Sequence, residues 1–526
     1  MAIPELNPYD EVAYPSLPIP HTHPDRLATV GMHFGMRPAP LERCRVLELG
    51  CSSGANLLAM AVTLPESEFV GVDLAGKPIA RGKAMVEALG LKNLALRQAD
   101  LLEMAPDYGK FDYIIAHGLY SWVPAPVRDQ ILAIFKACLQ PQGIAYISYD
   151  AFPGSYSRLM VREMMLFHNR DFRDPQQQLQ QALTLLKLLA SSRKQEEPYR
   201  KTLLDEYERL STRSKEALYH DELSKDFQPF YFHQLIEHAR RHGLQFLGEA
   251  DFSEMHSGRL EPQAREVLEK ISDDIILREQ YLDFMSGRAF RRTLLCHDDV
   301  RLDHSMKSVS VRSFYVSTQA RPKAQFPDLS PGATETFRSP NGTELTTGNL
   351  LGRSLFWCLI DSRPERVPFE KLARDVECRA RQKLSFVPKP ELDTASELAD
   401  FVWQTYLIGL LDLHVYVPPF TTQISERPAA SPLARLEART GNFVTTLHCR
   451  NLHLSDALQR GVVMLLDGTR DRAALRKDLL ELFKSGNLTL QEGDQPVVDM
   501  QIVEKRIDAE SETILQDLAH AAVLMK

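Results

Sequence analysis

The segment Val46-Leu47-Glu48-Leu49-Gly50-Cys51-Ser52-Ser53-Gly54-Ala55-Asn56 constrains this chain more than any other. A short apolar run meets a glycine-bearing turn and then a helical pattern, the order of a buried parallel strand feeding a helix. Gly50 and Gly54 let backbone approach a ligand that a Cβ would block, and the N–H groups opening the next helix are free to receive a carboxylate or phosphate. The central position against which a pyrophosphate would press is Ser52 rather than glycine, which argues against a dinucleotide.

The alternation continues to about Tyr149. RVLELG, EFVGVDL, LALRQAD, FDYIIAHG and IAYISYD are strand-like, and between the last two Val127, Ile131, Ile134, Phe135 and Cys138 share one helix face. A doubly wound α/β unit is expected. Asp73 ends the second strand about 20 residues beyond the turn, where a carboxylate can accept from both ribose hydroxyls. Asp100 ends the third, placed to accept from an exocyclic amine. Leu74, Leu101 and His117 adjoin the same strand ends and are counted with one adenosine-sized crevice.

In that order VLELGCSSGAN, VGVDL, QAD and FDYIIAHG resemble the motifs of class I S-adenosylmethionine-dependent methyltransferases. The resemblance implies a Rossmann-like sheet with S-adenosylmethionine as cofactor. It puts Glu48, Gly50 and Gly54 at the methionine end, with Ser52 and Asn56 in the same turn, Asp73 at the ribose and Asp100 at the adenine. A narrower resemblance rests on YPSLPIPHTHPDRLATVGMHFGMRPA, GLYSWVP, SYDAFPG and HDELSKDFQPFYFHQLIEHARRHGLQFLGEADF. These are similar to bacterial methyltransferases that carry a regulatory domain, a group that includes rickettsial outer-membrane-protein lysine methyltransferases. That implies lysine amines of a bacterial protein as acceptor and a homodimer as assembly. A small-metabolite methyltransferase and a cofactor-sensing regulator without catalysis are the competing readings.

Methyl transfer needs an acceptor lone pair held in line with the leaving sulfur. Tyr120 and Trp122, in the loop after the fourth strand, can wall an alkylammonium channel by cation–π contact, or equally pack over the next helix. Tyr149, at the end of the fifth strand, is directed at the same crevice. These three are the expected catalytic residues. Tyr14 lies in an N-terminal segment expected to fold over the cofactor as a lid, and His21 and His23 in that segment are either bases or structural hydrogen-bonding residues.

Five segments follow from the change of texture along the chain. Residues 1–165 form the catalytic core with its lid, and 166–222, with Leu179, Leu183, Leu186 and Leu189 at helical spacing, an inserted helical region. Residues 223–315 form a regulatory or middle domain whose strands LQFLGEADF and AFRRTLLC complete the sheet. Residues 316–341, rich in Pro, Ser, Thr and Gly, read as a linker. Residues 342–526 read as a mainly helical C-terminal domain of winged-helix character, with HVYV as its short strand. Its last helix aligns Ile507, Ile514, Leu518, Ala521 and Met525 as a packing or dimer seam.

A net charge of −8 gives no overall attraction to nucleic acid or anionic lipid. No apolar run of about 18 residues and no signal-like start are present, so a cytoplasmic protein is expected, without membrane or nucleic-acid partners. The seven cysteines lack metal-ligand spacing, and no metal site is expected.

Overall fold

In the computed structural model, which describes residues 8–526 apart from 105–107, 193–196, 272–273, 306–307, 331, 382–393, 493–494 and 498, the alternation closes into a seven-stranded sheet. Helices α1 (Pro8–Glu11) and α2 (Pro24–His33) precede β1 (Arg45–Leu49), α3 (Ala55–Thr63), β2 (Glu68–Asp73), α4 (Gly76–Ala88) and β3 (Leu94–Gln98). Then come β4 (Phe111–Ala116), α5 (Ala125–Cys138) and β5 (Leu139–Asp150). Four helices follow: α6 (Tyr156–Asn169), α7 (Pro175–Ser191), α8 (Pro198–Ser211) and α9 (Lys215–Leu223). The sheet is completed by α10 (Phe232–Arg241), β6 (Leu244–Glu249), α11 (Pro262–Ile271), α12 (Ile275–Ser286) and β7 (Phe290–His297).

The strand order is β3-β2-β1-β4-β5-β7-β6, and β7 alone runs antiparallel to its neighbours. The order reverses between β1 and β4, so the carboxyl ends there part to leave a crevice. Val46, Leu47 and Leu49 of β1 and Tyr113, Ile114 and Ile115 of β4 are fully buried, as strands covered on both faces must be.

Behind β7 lies a dry ionic cluster. Arg291 donates to Glu249 at 2.6 Å, to Asp283 at 2.9 Å and to Glu279 at 3.1 Å, with its guanidinium 3.9 Å from the centre of the Phe232 ring. Arg291, Glu249, Glu279 and Asp283 are all fully buried, so α12 is tied to β6 and β7 by charges that cannot be removed singly.

The inserted helices form their own small core, from Val161 and Met165 of α6 to Leu218 of α9, beginning before the expected residue 166. The linker expected over 316–341 is not one. Tyr315–Ser317 pairs with Val367–Pro368 and Asp412–His414, and Glu335–Arg338 pairs with Glu344–Thr347, burying Val316 and Phe337 completely. Polar turn residues there alternate with a few apolar ones that the small sheets bury. The expected boundary at 342 also falls inside one core, which runs from the sheet through Leu355, Phe356, Trp403 and Leu413. A separate core starts near Ala430 and reaches Leu524.

HVYV belongs to the first of these bodies, since its strand Asp412–His414 pairs with Tyr315–Ser317. The strand pairs of the last body are instead Phe443–Thr445 with Asn451–His453 and Gln491–Glu492 with Gln495–Pro496. Ile507, Ile514 and Leu518 of the helix Met500–His520 are buried in that last core, and Met525 pairs with Phe420 beyond the helix end. The stripe is therefore internal packing rather than a dimer seam.

Candidate active site

The turn after β1 is built on left-handed backbone. Gly50 and Gly54 have φ of 72° and 73°, and Ser52, without glycine's freedom, is held at 51°. A Cβ on Gly54 would be strained by this φ and would also press Leu96 Cδ2 at 2.8 Å. Asp73 holds the turn open. Its carboxylate accepts from Ser52 N at 2.7 Å and from Ala75 N at 2.8 Å, and each oxygen keeps a second lone pair for a diol.

Glu48 is 4% exposed, and burial pushes its carboxyl up to about 8. One oxygen accepts from Asn56 Nδ2 at 2.9 Å; the other, equally buried, has no partner among the described residues. A buried carboxyl oxygen without a partner is free to take a hydrogen bond or a charge from a ligand. Asn56 itself is spent on the lid: it donates to Thr22 Oγ1 and accepts from Ile19 N, both at 2.9 Å. Both of its amide protons are engaged within the protein, so it positions Glu48 and the lid and keeps only one lone pair of Oδ1.

At the adenosine end Leu74 is 57% exposed, an apolar side chain beside Asp73 that a flat base can cover. Asp100 accepts from Leu102 N at 2.9 Å through one oxygen, leaving the other for an amine, and Leu101 is buried beneath. His117 shares its Nδ1 with Tyr146 Oη at 2.9 Å and Ser148 Oγ at 3.3 Å, and burial lowers its pKa to about 4, keeping the ring neutral.

The lid contains residues that sequence reasoning missed. In α1, Asp10 accepts from Lys77 N at 2.8 Å at the start of α4, and Tyr9 stacks on His220 of α9 at 4.2 Å. His220 Nε2 also reaches Val12 O at 2.7 Å, and Tyr14 donates to Asp221 at 3.4 Å. The segment thus bridges the helix that follows Asp73 and the last inserted helix. Tyr9 lies within electrostatic reach of Asp73, whose charge helps burial hold its phenol protonated. No short-range pattern marks these contacts, since their partners stand 67 residues apart for Asp10 and Lys77 and 207 or 208 apart for Tyr14 with Asp221 and Val12 with His220.

Of the acceptor candidates, two are core residues. Tyr120 is 1% exposed, packs on Phe230 and donates to or accepts from His238 Nδ1 of α10 at 2.7 Å. Tyr120 opens the short 3-10 turn Tyr120–Trp122, and its hydroxyl is engaged by α10. Tyr149 is also 1% exposed and stands opposite Arg291 in the β5–β7 register, on the face of the ionic cluster. Trp122 is partly exposed and does carry cations, but these are the protein's own Arg158 and Arg162, at 5.1 and 5.4 Å. Arg158 also donates to Asp150, at the end of β5, at 2.6 Å. In the lid His23 caps α2 by accepting from Asp25 N at 3.1 Å, whereas the buried His21 Nδ1 has no partner among the described residues.

With this geometry in view, comparison with known proteins is decisive. Residues 46–143 match a family described as a methyltransferase domain, residues 214–297 a "Predicted methyltransferase regulatory domain", and residues 426–523 a "PKMT, C-terminal winged helix domain". The structure of PKMT2 from Rickettsia typhi in complex with AdoHcy is similar to this chain with a TM-score of 0.84. It is 30% identical, covering 97% of this chain and 99% of that one. The chain belongs to the PKMT family of methyltransferases. An uncharacterised Rickettsia prowazekii protein is 30% identical over 99% of this chain and 94% of its own length. A second from the same organism is 40% identical over 45% of this chain.

The PKMT-family assignment fits the site. S-adenosylmethionine supplies an electrophilic methyl on a sulfonium, and the chain's task is to bind it and align an acceptor. Glu48 lies in β1, Asp73 ends β2, and Leu74 and Asp100 follow β2 and β3. Among the described residues no helix is long and apolar enough to cross a membrane.

Proposed function

We propose that the chain is a protein-lysine N-methyltransferase acting on a bacterial polypeptide in the cytoplasm. The observation that carries this reading is a likeness to PKMT2 over nearly the whole chain, including the winged-helix body that a bare cofactor-binding fold would not need. Residues 1–165 bind cofactor, the inserted helices and regulatory segment frame the acceptor entrance, and the last body grips the protein substrate. Cofactor contacts are assigned to Glu48, Gly50, Ser52, Gly54, Asp73, Leu74, Asp100, Leu101 and His117, with Tyr14 and Tyr9 closing the lid.

A lysine amine must be neutral to attack, and its ordinary pKa near ~10.4 makes that cost about 4–5 kcal/mol near pH 7. Entry beneath the lid, past Trp122 and Asp150, strips water from the ammonium and lowers that cost. His21 and His117, both held neutral by burial with pKa near 4, act there as hydrogen-bond partners rather than strong bases. The acidic chain carries no basic surface argument for nucleic acid, and a homodimer is the proposed assembly.

The test is mass spectrometry after incubation with isotope-labelled S-adenosylmethionine, using denatured cell-envelope protein and, separately, a small-molecule extract. Label on lysine side chains of protein is expected. Label confined to small molecules would replace the reading with a metabolite methyltransferase, and cofactor binding without transfer to either would replace it with a sensor.

A further inference from the structure

On the far side of Tyr120 from the crevice, α10 carries His238 and His242 one helical turn apart, so their rings share a face. Across from them α5 presents Asp129. Nε2 of His238 and Nε2 of His242 lie 3.1 and 2.9 Å from the same atom, Oδ1 of Asp129. All three donor atoms fall within 4.8 Å of one another. The other ring nitrogen of His238 is engaged by Tyr120 Oη at 2.7 Å, the outer hydrogen bond that orients a metal-binding imidazole. An open groove of about 300 Å³, lined by Tyr120, Arg128, Phe230, Glu237 and Arg241 among others, reaches His238 of this cluster.

We propose that Asp129, His238 and His242 bind a divalent transition-metal ion of the zinc class. Two imidazoles and a carboxylate are a donor set for such ions, and bonds of about 2.0–2.1 Å to tetrahedral ligands put those ligands a little over 3 Å apart. The two separations from Asp129 Oδ1, 3.1 and 2.9 Å, are close to that. The Asp129 side chain is 65% exposed and can yield the remaining tenths of an ångström. The groove leaves water for the fourth position. Arg128 and Arg241 oppose a cation while Asp129 and Glu237 favour one, which holds the expected affinity to the micromolar range.

The same two hydrogen bonds to Asp129 also exist without metal if each Nε2 carries a proton. With metal both Nε2 atoms are bare, and His238 donates from Nδ1 to Tyr120. The ion would then pin the Tyr120–Trp122 turn to α10, joining metal binding to the loop beside the acceptor entrance.

The test uses the full chain, stripped with chelator and titrated with zinc chloride by calorimetry near neutral pH, and with cobalt chloride by visible absorption. One ion per chain and tetrahedral cobalt bands are expected. His242→Gln and Asp129→Asn should each weaken binding ~tenfold or more, with unchanged melting in chelator showing that the variants fold. Zinc uptake by both variants equal to wild type would overturn the proposal. So would cobalt spectra of the octahedral aqua ion, or intense thiolate charge-transfer bands placing the ion on cysteine.

Discussion

Replacing Glu48 with glutamine should move stability and cofactor affinity in opposite directions. In the folded chain burial holds the Glu48 carboxyl up to about 8, against 4.5 for an ordinary glutamate. The folded state therefore keeps a proton that the unfolded chain releases, so this group's contribution is whole below about pH 4.5 and drains away as pH rises to about 8. At 1.36 kcal/mol per pH unit, that gap is worth about 5 kcal/mol. Glutamine keeps the bond from Asn56 through its own oxygen and cannot ionise. The cofactor-free variant should then lose less stability than wild type between pH 5 and 8, and should be the more stable of the two above pH 8. Cofactor binding reverses the preference, because an ammonium against Glu48 favours the ionised form. Wild type near neutrality must release a proton on binding, and its affinity should climb about tenfold from pH 6 to pH 7, where each unit multiplies the ionised fraction by ten. The variant should bind at least ~tenfold more weakly, having lost a charge-assisted bond of about 1.5–3 kcal/mol, and without that pH dependence. Urea titrations across pH, with calorimetry in two buffers of different ionisation enthalpy, read both quantities. A variant that binds S-adenosylmethionine like wild type, with the same proton release, would refute the placement of Glu48.

Asp73→Ala removes the carboxylate proposed to accept from the ribose hydroxyls, and with it the support for Ser52 N. Equilibrium binding should weaken by about 10–100-fold, and an affinity within twofold of wild type would remove Asp73 from the site. Trp122→Ala should slow methyl transfer to protein while cofactor affinity stays unchanged, whereas Tyr120→Phe, altering a core residue by one hydroxyl, should leave transfer rates nearly untouched. The reverse pattern in steady-state kinetics would restore Tyr120 as an acceptor residue. Arg291→Ala strands Glu249, Glu279 and Asp283 in a dry core and should cost about 3–5 kcal/mol in denaturant unfolding. A loss under 1 kcal/mol would mean that the cluster is less tightly coupled than its bonds imply.

What was legible in the sequence follows from what is local. The β1 turn was readable because a strand, two glycines and a helix start lie within eleven residues, and because strand ends of a parallel sheet must converge, which brought in Asp73 and Asp100 without any contact being known. The facing of side chains beyond those ends was not readable. The Tyr120 hydroxyl meets His238, 118 residues later, and no periodicity within the loop encodes that contact. Tyr149 was misdirected for a related reason. A residue at the carboxyl end of a strand can lie on either face of the sheet, and register with Arg291 on a strand 140 residues downstream puts this one on the ionic side. The stretch 316–341 shows the same limit through composition. Its prolines, serines and threonines are turn chemistry, but Val316 and Phe337 are buried by strands it meets only after the chain has gone on to Thr347, Val367 and Leu413. The spacing of His238 and His242 stood in the sequence, yet two histidines on one helix face are ordinary until a carboxylate is brought between them. Asp129 arrives there only because the fold brings α5 beside the C-terminal end of α10, more than 100 residues later. Chemistry borne by backbone at a strand end can thus be read along the chain, and chemistry borne by side chains meeting across layers depends on how those layers are stacked.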